Sequence, residues 1–335
     1  MAAKHLFSVL VAFTLFLPAR AEEDSLHLVD NLFFEARGNF HNEFGGGLAH
    51  KGIFSGDYFN FNVSGHIAPS VSYRIRQRLV KAAYNEHNIF NATDFLWIDW
   101  KADKHFSFTF GKQPIYIGGY EYDSTPIDVY YWSKFSGGLY KVYSFGVSST
   151  YSFNPYQDLI FQFCESPLSN VTPNTFAWNL AWRGRIFPWW STIWSVNLVE
   201  DELSRYQQYA ALGNRMFFGP VQFDLDLMTR ETVGKTKAFS DWSVICKIIW
   251  SVGDWNICTK FGREANSSDN IDADGTSYDI AFPAGSDFSY AGAGLEYFPR
   301  IKGRPVRLHT VWYWNTDGNK RHFFDVGITW WMMLK

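Results

Sequence analysis

The chain has 335 residues, a formal net charge of −3 and 19% aromatic residues, among them 15 Trp and 32 Phe. That mild acidity argues against a nucleic-acid partner, and beyond the N-terminal segment no run approaches 18 uninterrupted apolar residues, so no transmembrane helix is readable. So much amphipathic aromatic surface suits a membrane–water interface, where indole and phenol rings settle at headgroup level.

The N-terminus reads as a secretory signal. Lys4 and His5 form a short basic start, Leu6 to Leu17 an apolar core, Pro18 a break and Ala19-Arg20-Ala21 a cleavage site. Residues 1–21 are therefore expected to be removed, leaving 22–335 as a single domain. Loss of Lys4 and Arg20 takes the net charge from −3 to −5. Export permits disulfides. Of the three cysteines, Cys246 and Cys258 flank the predicted turn Val252-Gly253-Asp254. Either these two pair, or Cys164, Cys246 and Cys258 are all free thiols; one is left over in any case.

Along the rest of the chain, segments of roughly ten residues alternate apolar and polar, as a membrane-spanning strand with one face to lipid and one to a lumen must. Phe106, Phe108 and Phe110 alternate with Ser107 and Thr109. Phe176, Trp178, Leu180 and Trp182 alternate with Ala177, Asn179, Ala181, Arg183 and Arg185. Val221, Phe223, Leu225 and Leu227 alternate with Gln222, Asp224 and Asp226, and Phe324, Val326, Ile328 and Trp330 with Asp325, Gly327 and Thr329. Period two excludes an amphipathic helix.

Strands are predicted near 31–40, 57–68, 70–80, 94–102, 105–112, 138–153, 158–164 and 175–185. They continue near 190–199, 204–217, 220–231, 238–250, 255–263, 286–298, 304–315 and 321–334. The count is sixteen, even as bacterial barrels require. Short connections at 69–70, 103–104, 154–158, 187–189, 219–220, 252–254 and 300–303 alternate with mostly longer ones at 41–56, 81–93, 113–137, 165–174 and 264–285. Short periplasmic turns and long outer loops produce this alternation, which places both termini on the periplasmic side. A soluble sandwich would show polar outer faces instead. A closed antiparallel β-barrel of the bacterial outer membrane, with an aqueous channel, is the expected fold.

Two segments carry candidate chemistry. On the third strand Arg74, Arg76 and Arg78 share one face and Val71, Tyr73, Ile75 and Leu79 the other, with Gln77 the one polar residue among them. Guanidinium groups facing lipid would cost about 2–4 kcal/mol each at mid-bilayer, so they face the lumen. There they either attract anions, which their fixed forks suit, or are neutralised by acidic neighbours and only stiffen the wall. The connection 113–137 is too apolar and aromatic to float in solvent, and its length marks it as functional. It is expected to fold into the barrel and narrow it, with Glu121, Asp123 and Asp128 opposing the arginines and setting a transverse field. An external cap or subunit contact is the alternative.

Arg183, Arg185, Arg307 and His309 are further inward-facing groups, with Lys247, Lys260, Asp224, Asp226 and Asp325 making the lumen mixed in sign. Arg300, Lys302 and Arg304 cluster in one turn. No nucleophile elbow, zinc-binding H-E-x-x-H or phosphate-binding loop occurs, so no enzyme, cofactor or metal is expected.

These features resemble the phosphate-selective porin O and P family, in its Bacteroidetes-type form. The resemblance rests on Arg74-Ile75-Arg76-Gln77-Arg78-Leu79, Ala92-Thr93-Asp94, Gly111-Lys112-Gln113, Gly118-Gly119-Tyr120-Glu121-Tyr122-Asp123 and Pro126-Ile127-Asp128-Val129-Tyr130. Weaker matches follow at 192–197, 211–214, 295–299, 306–309 and 325–330. It implies a sixteen-stranded barrel in the lipid bilayer, commonly a homotrimer, with an inward third loop and arginines near the constriction. Such a barrel passes small hydrophilic solutes or anions, phosphate among them. The chain ends Met332-Met333-Leu334-Lys335, and Trp330 and Trp331 stand in for the terminal aromatic that barrel-assembly machinery reads. A plugged or structural barrel without conduction is the competing expectation.

Overall fold

The computed structural model describes residues 27–46, 48–80, 90–139, 141–169, 174–237, 239–268, 282–303, 305–317 and 320–335, the side chains of 48–51 excepted. The expected signal segment lies outside the described residues. Sixteen strands form one closed sheet. They are β1 Asn31–Gly45, β2 Leu48–Ala68, β3 Val71–Arg78, β4 Thr93–Lys101, β5 Phe106–Pro114, β6 Tyr143–Asn154, β7 Gln157–Glu165 and β8 Phe176–Phe187. The ring continues with β9 Trp190–Glu200, β10 Tyr206–Phe218, β11 Val221–Thr232, β12 Asp241–Val252, β13 Trp255–Asn266, β14 Asp287–Tyr297, β15 Val306–Asn315 and β16 Arg321–Met333. Each strand pairs antiparallel with its sequence neighbours, and β1 closes on β16 from Phe33↔Met333 to Phe44↔His322. No helix among the described residues is long and apolar enough to cross a membrane; the strands cross it instead.

The burial pattern of β8 shows why these residues form this sheet. Trp178 and Leu180 are 45% and 47% exposed, while Asn179 between them is 1% exposed. The same inversion recurs on β11, where Leu227 is exposed and Asp224 and Asp226 are buried. A water-soluble protein would reverse both assignments; lipid outside and a polar interior require them. Outward aromatics stack across neighbouring strands, as with Phe163 and Trp178 (4.3 Å between ring centroids) and Trp255 and Tyr297 (4.4 Å). On the outward face of β10, Asn214 accepts from the indole N–H groups of Trp190 (3.1 Å) and Trp194 (3.4 Å), so it does not meet lipid unsatisfied.

Sequence and structure differ in two places. The long connection expected at 41–56 is the tip of an extended hairpin, β1 running to Gly45 and β2 starting at Leu48. Its glycines read as loop signals, yet Phe40 and Phe54 pair directly across it with rings 4.9 Å apart. Among the described residues of the turn, Gly45 and Gly46, at φ of 91° and 62°, need glycine's freedom. The second difference is β6, which begins at Tyr143 rather than near 138, because Lys134–Gly138 forms a short helix. The cysteines are all free. Cys246 lies among the lipid-facing residues of β12, whereas Cys258 lines a cavity beside Lys260 on β13; opposite sheet faces keep the two apart.

The outward assignment of Leu180, midway along β8, is testable. Leu180→Arg should destabilise the folded barrel in lipid by about 2–4 kcal/mol in a denaturant titration. A change within error would place Leu180 away from the lipid.

Candidate functional site

The connection 115–142 between β5 and β6 holds three short elements: α1 Tyr120–Asp123, a 3₁₀ turn Pro126–Asp128 and α2 Lys134–Gly138. Side chains of the barrel wall meet its backbone at almost every step. The Gln162 amide on β7 donates to Pro114 O (2.9 Å) and accepts from Tyr116 N (3.0 Å). Asn197 on β9 donates to Tyr116 O at 2.8 Å, and Ser195 Oγ accepts from Gly118 N at 2.7 Å. The Asp226 carboxylate on β11 accepts from Tyr120 N (2.7 Å) and Glu121 N (2.8 Å) at the start of α1. Glu264 on β13 does the same for α2, accepting from Lys134 N (2.7 Å) and Phe135 N (3.0 Å). Two wall carboxylates thus cap two helices too short to be stable alone. From β1, Arg37 donates to Ile127 O (2.9 Å) and Val129 O (3.0 Å), and Tyr130 donates to Glu296 of β14 at 2.7 Å.

The apolar side of the segment, Ile115, Ile117, Tyr122, Phe135 and Leu139, packs with Cys164, Ala177, Val199, Tyr209, Ala211 and Met228 of β7 to β11. Contact is close enough to demand glycine. A Cβ on Gly213 of β10 would sit 2.8 Å from Gly119 Cα, one on Gly118 would sit 2.8 Å from Ile193 O, and Gly119 itself has φ of 111°.

The segment's other side leaves open space along β1 to β5 that extends to Asp158 and Arg183 of β7 and β8 at one end and to Trp331 of β16 at another. Three cavities of about 410, 420 and 360 Å³ adjoin there, and Arg76 lines all three. Arg74 lines the first two, and Arg78 the third. Opposite them, Tyr122, Asp123, Ser124 and Thr125 line the first cavity, and Thr125, Ile127 and Asp128 the second. On the far side of the segment, toward β11 to β15, a space of only about 70 Å³ remains, bordered by Asp224, Asp226, Lys247 and Lys260.

The three arginines are not equivalent. Arg76 Nε donates to Asp94 Oδ2 at 3.0 Å and its NH2 to the Tyr143 hydroxyl at 2.5 Å. Arg78 Nε lies 3.1 Å from Asp94 Oδ1. A bulge places Asp94 between Thr93, which pairs Gln77, and Phe95, which pairs Arg76. Two successive residues of β4 therefore reach one guanidinium: Asp94 by salt bridge and Phe95 with its ring 4.3 Å away. Arg74 stacks on Phe95 at 4.6 Å and has no carboxylate within 4.0 Å among the described residues.

The acids expected to oppose this row divide. Asp123 and Asp128 line the cavities that Arg74 and Arg76 line, but Asp123 pairs with Arg183 (2.5 Å) and Asp128 with Arg307 (2.9 Å). Glu121 does not face the row. It is buried, 2.8 Å from Lys260 Nζ, and accepts from Ser133 N at 2.8 Å, which ties α1 to α2. Tyr120 stacks beneath Arg215 at 4.1 Å, and Tyr122 belongs to the apolar anchor. Arg307 also lies 3.4 Å from Glu296 and donates to Ile127 O at 3.2 Å, so it holds the segment. Arg185 is exposed near the β8–β9 turn, 5.0 Å from the Tyr156 ring, and joins none of the three cavities. Arg300 pairs with Asp254 at 2.6 Å in its turn, and Arg304 lies outside the described residues.

A closed sixteen-strand barrel with an apolar exterior and a charged interior is the architecture of a bacterial outer-membrane β-barrel. Residues 34–189 match the family described as "Phosphate-selective porin O and P", which bears out the resemblance over the arginine strand and the β5–β6 segment; the weaker motifs beyond 190 lie outside the match. No curated protein matches the chain in sequence. Among solved structures, Pseudomonas putida OprB is similar at TM-score 0.65 with 9% identity, covering 92% of this chain and 95% of that one. An anion-selective porin from Comamonas acidovorans aligns at 0.63 with 8% identity over 90% and 98%, and OmpT of Vibrio cholerae at 0.61 with 10% over 94% and 100%. These likenesses establish the fold.

Asp226→Ala removes the acceptor of two backbone donors. Hydrogen bonds to a charged group contribute about 1.5–3 kcal/mol, so the amides of Tyr120 and Glu121 should exchange with solvent roughly tenfold faster or more while the β11 ladder stays protected. Unchanged exchange at those two amides would show that Asp226 does not hold the segment.

Proposed function

We propose that the chain is a passive diffusion channel for small hydrophilic solutes, with segment 115–142 folded into the lumen as its constriction. The observation that carries this reading is Arg76, which lines three adjoining cavities in succession while the segment's anchored side is packed solid. Solutes pass between the segment and the β1 to β5 wall. Along this wall Arg76 and Arg78 share one salt-bridged acid, Asp94, and Arg74 has none, so anions, phosphate included, are favoured there. Arg183 and Arg307 act mainly through Asp123 and Asp128, as positioning groups for the constriction rather than as free anion sites.

The channel works as a homotrimer delivered by barrel-assembly machinery, as the family resemblance implies, and the reading assigns it no catalytic step. The dense anchoring of the segment also suits a plugged barrel, and conductance separates the two. In planar bilayers under a KCl gradient the protein should conduct with anion preference, and Arg76→Ala should move the reversal potential toward cations. Absence of conductance would establish the plugged reading; cation preference in the wild type would shift control to Asp123 and Asp128.

A further inference from the structure

The largest charges left without a partner in the corridor have opposite signs. In the cavity of about 410 Å³, Arg76 is matched by Asp94 and Arg183 by Asp123. Three ionised groups remain. Arg74 has no carboxylate within 4.0 Å among the described residues. Asp99 accepts only from Thr109 Oγ1 (2.8 Å), and Asp158 only from Ser152 Oγ (2.6 Å); neither has a cation within 4.0 Å among the described residues. All three are half-buried.

Register fixes part of their arrangement. Arg74 pairs directly with Trp97, and Ser72 with Asp99, so Asp99 is the next inward residue of β4 toward the β4–β5 turn. That diagonal separates the Cα atoms of Arg74 and Asp99 by roughly 7–8 Å. Asp158 is paired with Arg183 across the β7–β8 ladder, on the opposite side of the same cavity. Between the charges the lining is aromatic: Phe95 and Trp97 on β4 and Tyr116 at the start of the segment. A site with one free cation, one free carboxylate diagonal to it, a second across the cavity and ring faces between them is poorly matched to a simple anion, which Asp99 and Asp158 repel. It is matched to a molecule that carries both charges on an apolar body.

We propose that this cavity is a binding station for zwitterionic α-amino acids with apolar or aromatic side chains. The carboxylate of the solute meets Arg74, its ammonium group meets Asp99 with Asp158 adding negative potential from the far wall, and its side chain lies against Trp97 and Tyr116. The proposal rests on the channel reading above and names a solute class for its first cavity.

The test is block of KCl current through the wild-type protein in planar bilayers by L-phenylalanine, by 3-phenylpropionate, which lacks the ammonium group, and by phenethylamine, which lacks the carboxylate. L-Phenylalanine should half-block at a concentration roughly tenfold below either analogue. Arg74→Gln should erase its advantage over phenethylamine, and Asp99→Asn with Asp158→Asn its advantage over 3-phenylpropionate. The wild-type comparison stands even if a variant fails to fold. Equal or tighter block by 3-phenylpropionate or inorganic phosphate overturns the proposal in favour of an anion site, and KCl conduction without block by any of the three overturns it outright. Loss of all conduction in the wild type overturns the channel reading itself, a result distinct from either.

Discussion

Every backbone N–H and C=O that enters a bilayer must find its partner within the protein, and this one constraint organises the molecule. The ring satisfies it by closing β1 on β16, so no strand edge is left open. Closure fixes an inside and an outside, and the two-residue period of each strand then sorts side chains between them. The β5–β6 connection, which has no ladder of its own, meets the same demand by other means. Asp226, Glu264, Gln162, Asn197 and Arg37 stand in for the missing strand and take up its amides and carbonyls. Polar residues on the inner wall are therefore as much structural as functional.

That dual use decides which charges are available to a solute. Lys260 and Glu121 neutralise each other while joining β13 to α1, and Arg307 is shared among Asp128, Glu296 and a backbone carbonyl. The corridor's character comes from what remains after such pairing. Arg76 and Arg78 share one salt-bridging acid, Asp94, and the first cavity holds Arg74 with Asp99 and Asp158. Counting charged residues in the sequence gives a mixed lumen; only the pairing shows that the mixture is spatially ordered.

The strand pattern was legible because alternation is local. Residues such as Trp178, Asn179 and Leu180 announce their faces without reference to any partner. The third strand's arginines were likewise assignable, since lipid would not tolerate them. What could not be read is cross-strand pairing. Asp94 meets Arg76 and Arg78 through a bulge whose position depends on the register of β3 with β4. Its inward turn has one signal in the sequence: an acid next to the strand-opening Thr93, within a barrel where acids avoid lipid. Glu121 follows the same logic. It sits in a run of acids that look alike in sequence, yet α1 turns it toward Lys260 while Asp123, two residues on, reaches Arg183. The β1–β2 hairpin was concealed by its glycines, whose turn chemistry is used at Gly45 and Gly46.

The segment packs its apolar side on β7 through β11, takes polar anchors from there round to β1, and leaves β2 through β5 out of the apolar packing. Most of the apolar support thus falls on one arc of the ring, while the arginine row stands on another. Side chains of β3 and β4 can be rewritten without loosening that apolar packing, since they take no part in it. The same scaffold can accordingly be retuned to a new diet by changes confined to a few dozen contiguous residues, and the asymmetry of the mooring is what makes such a lineage adaptable.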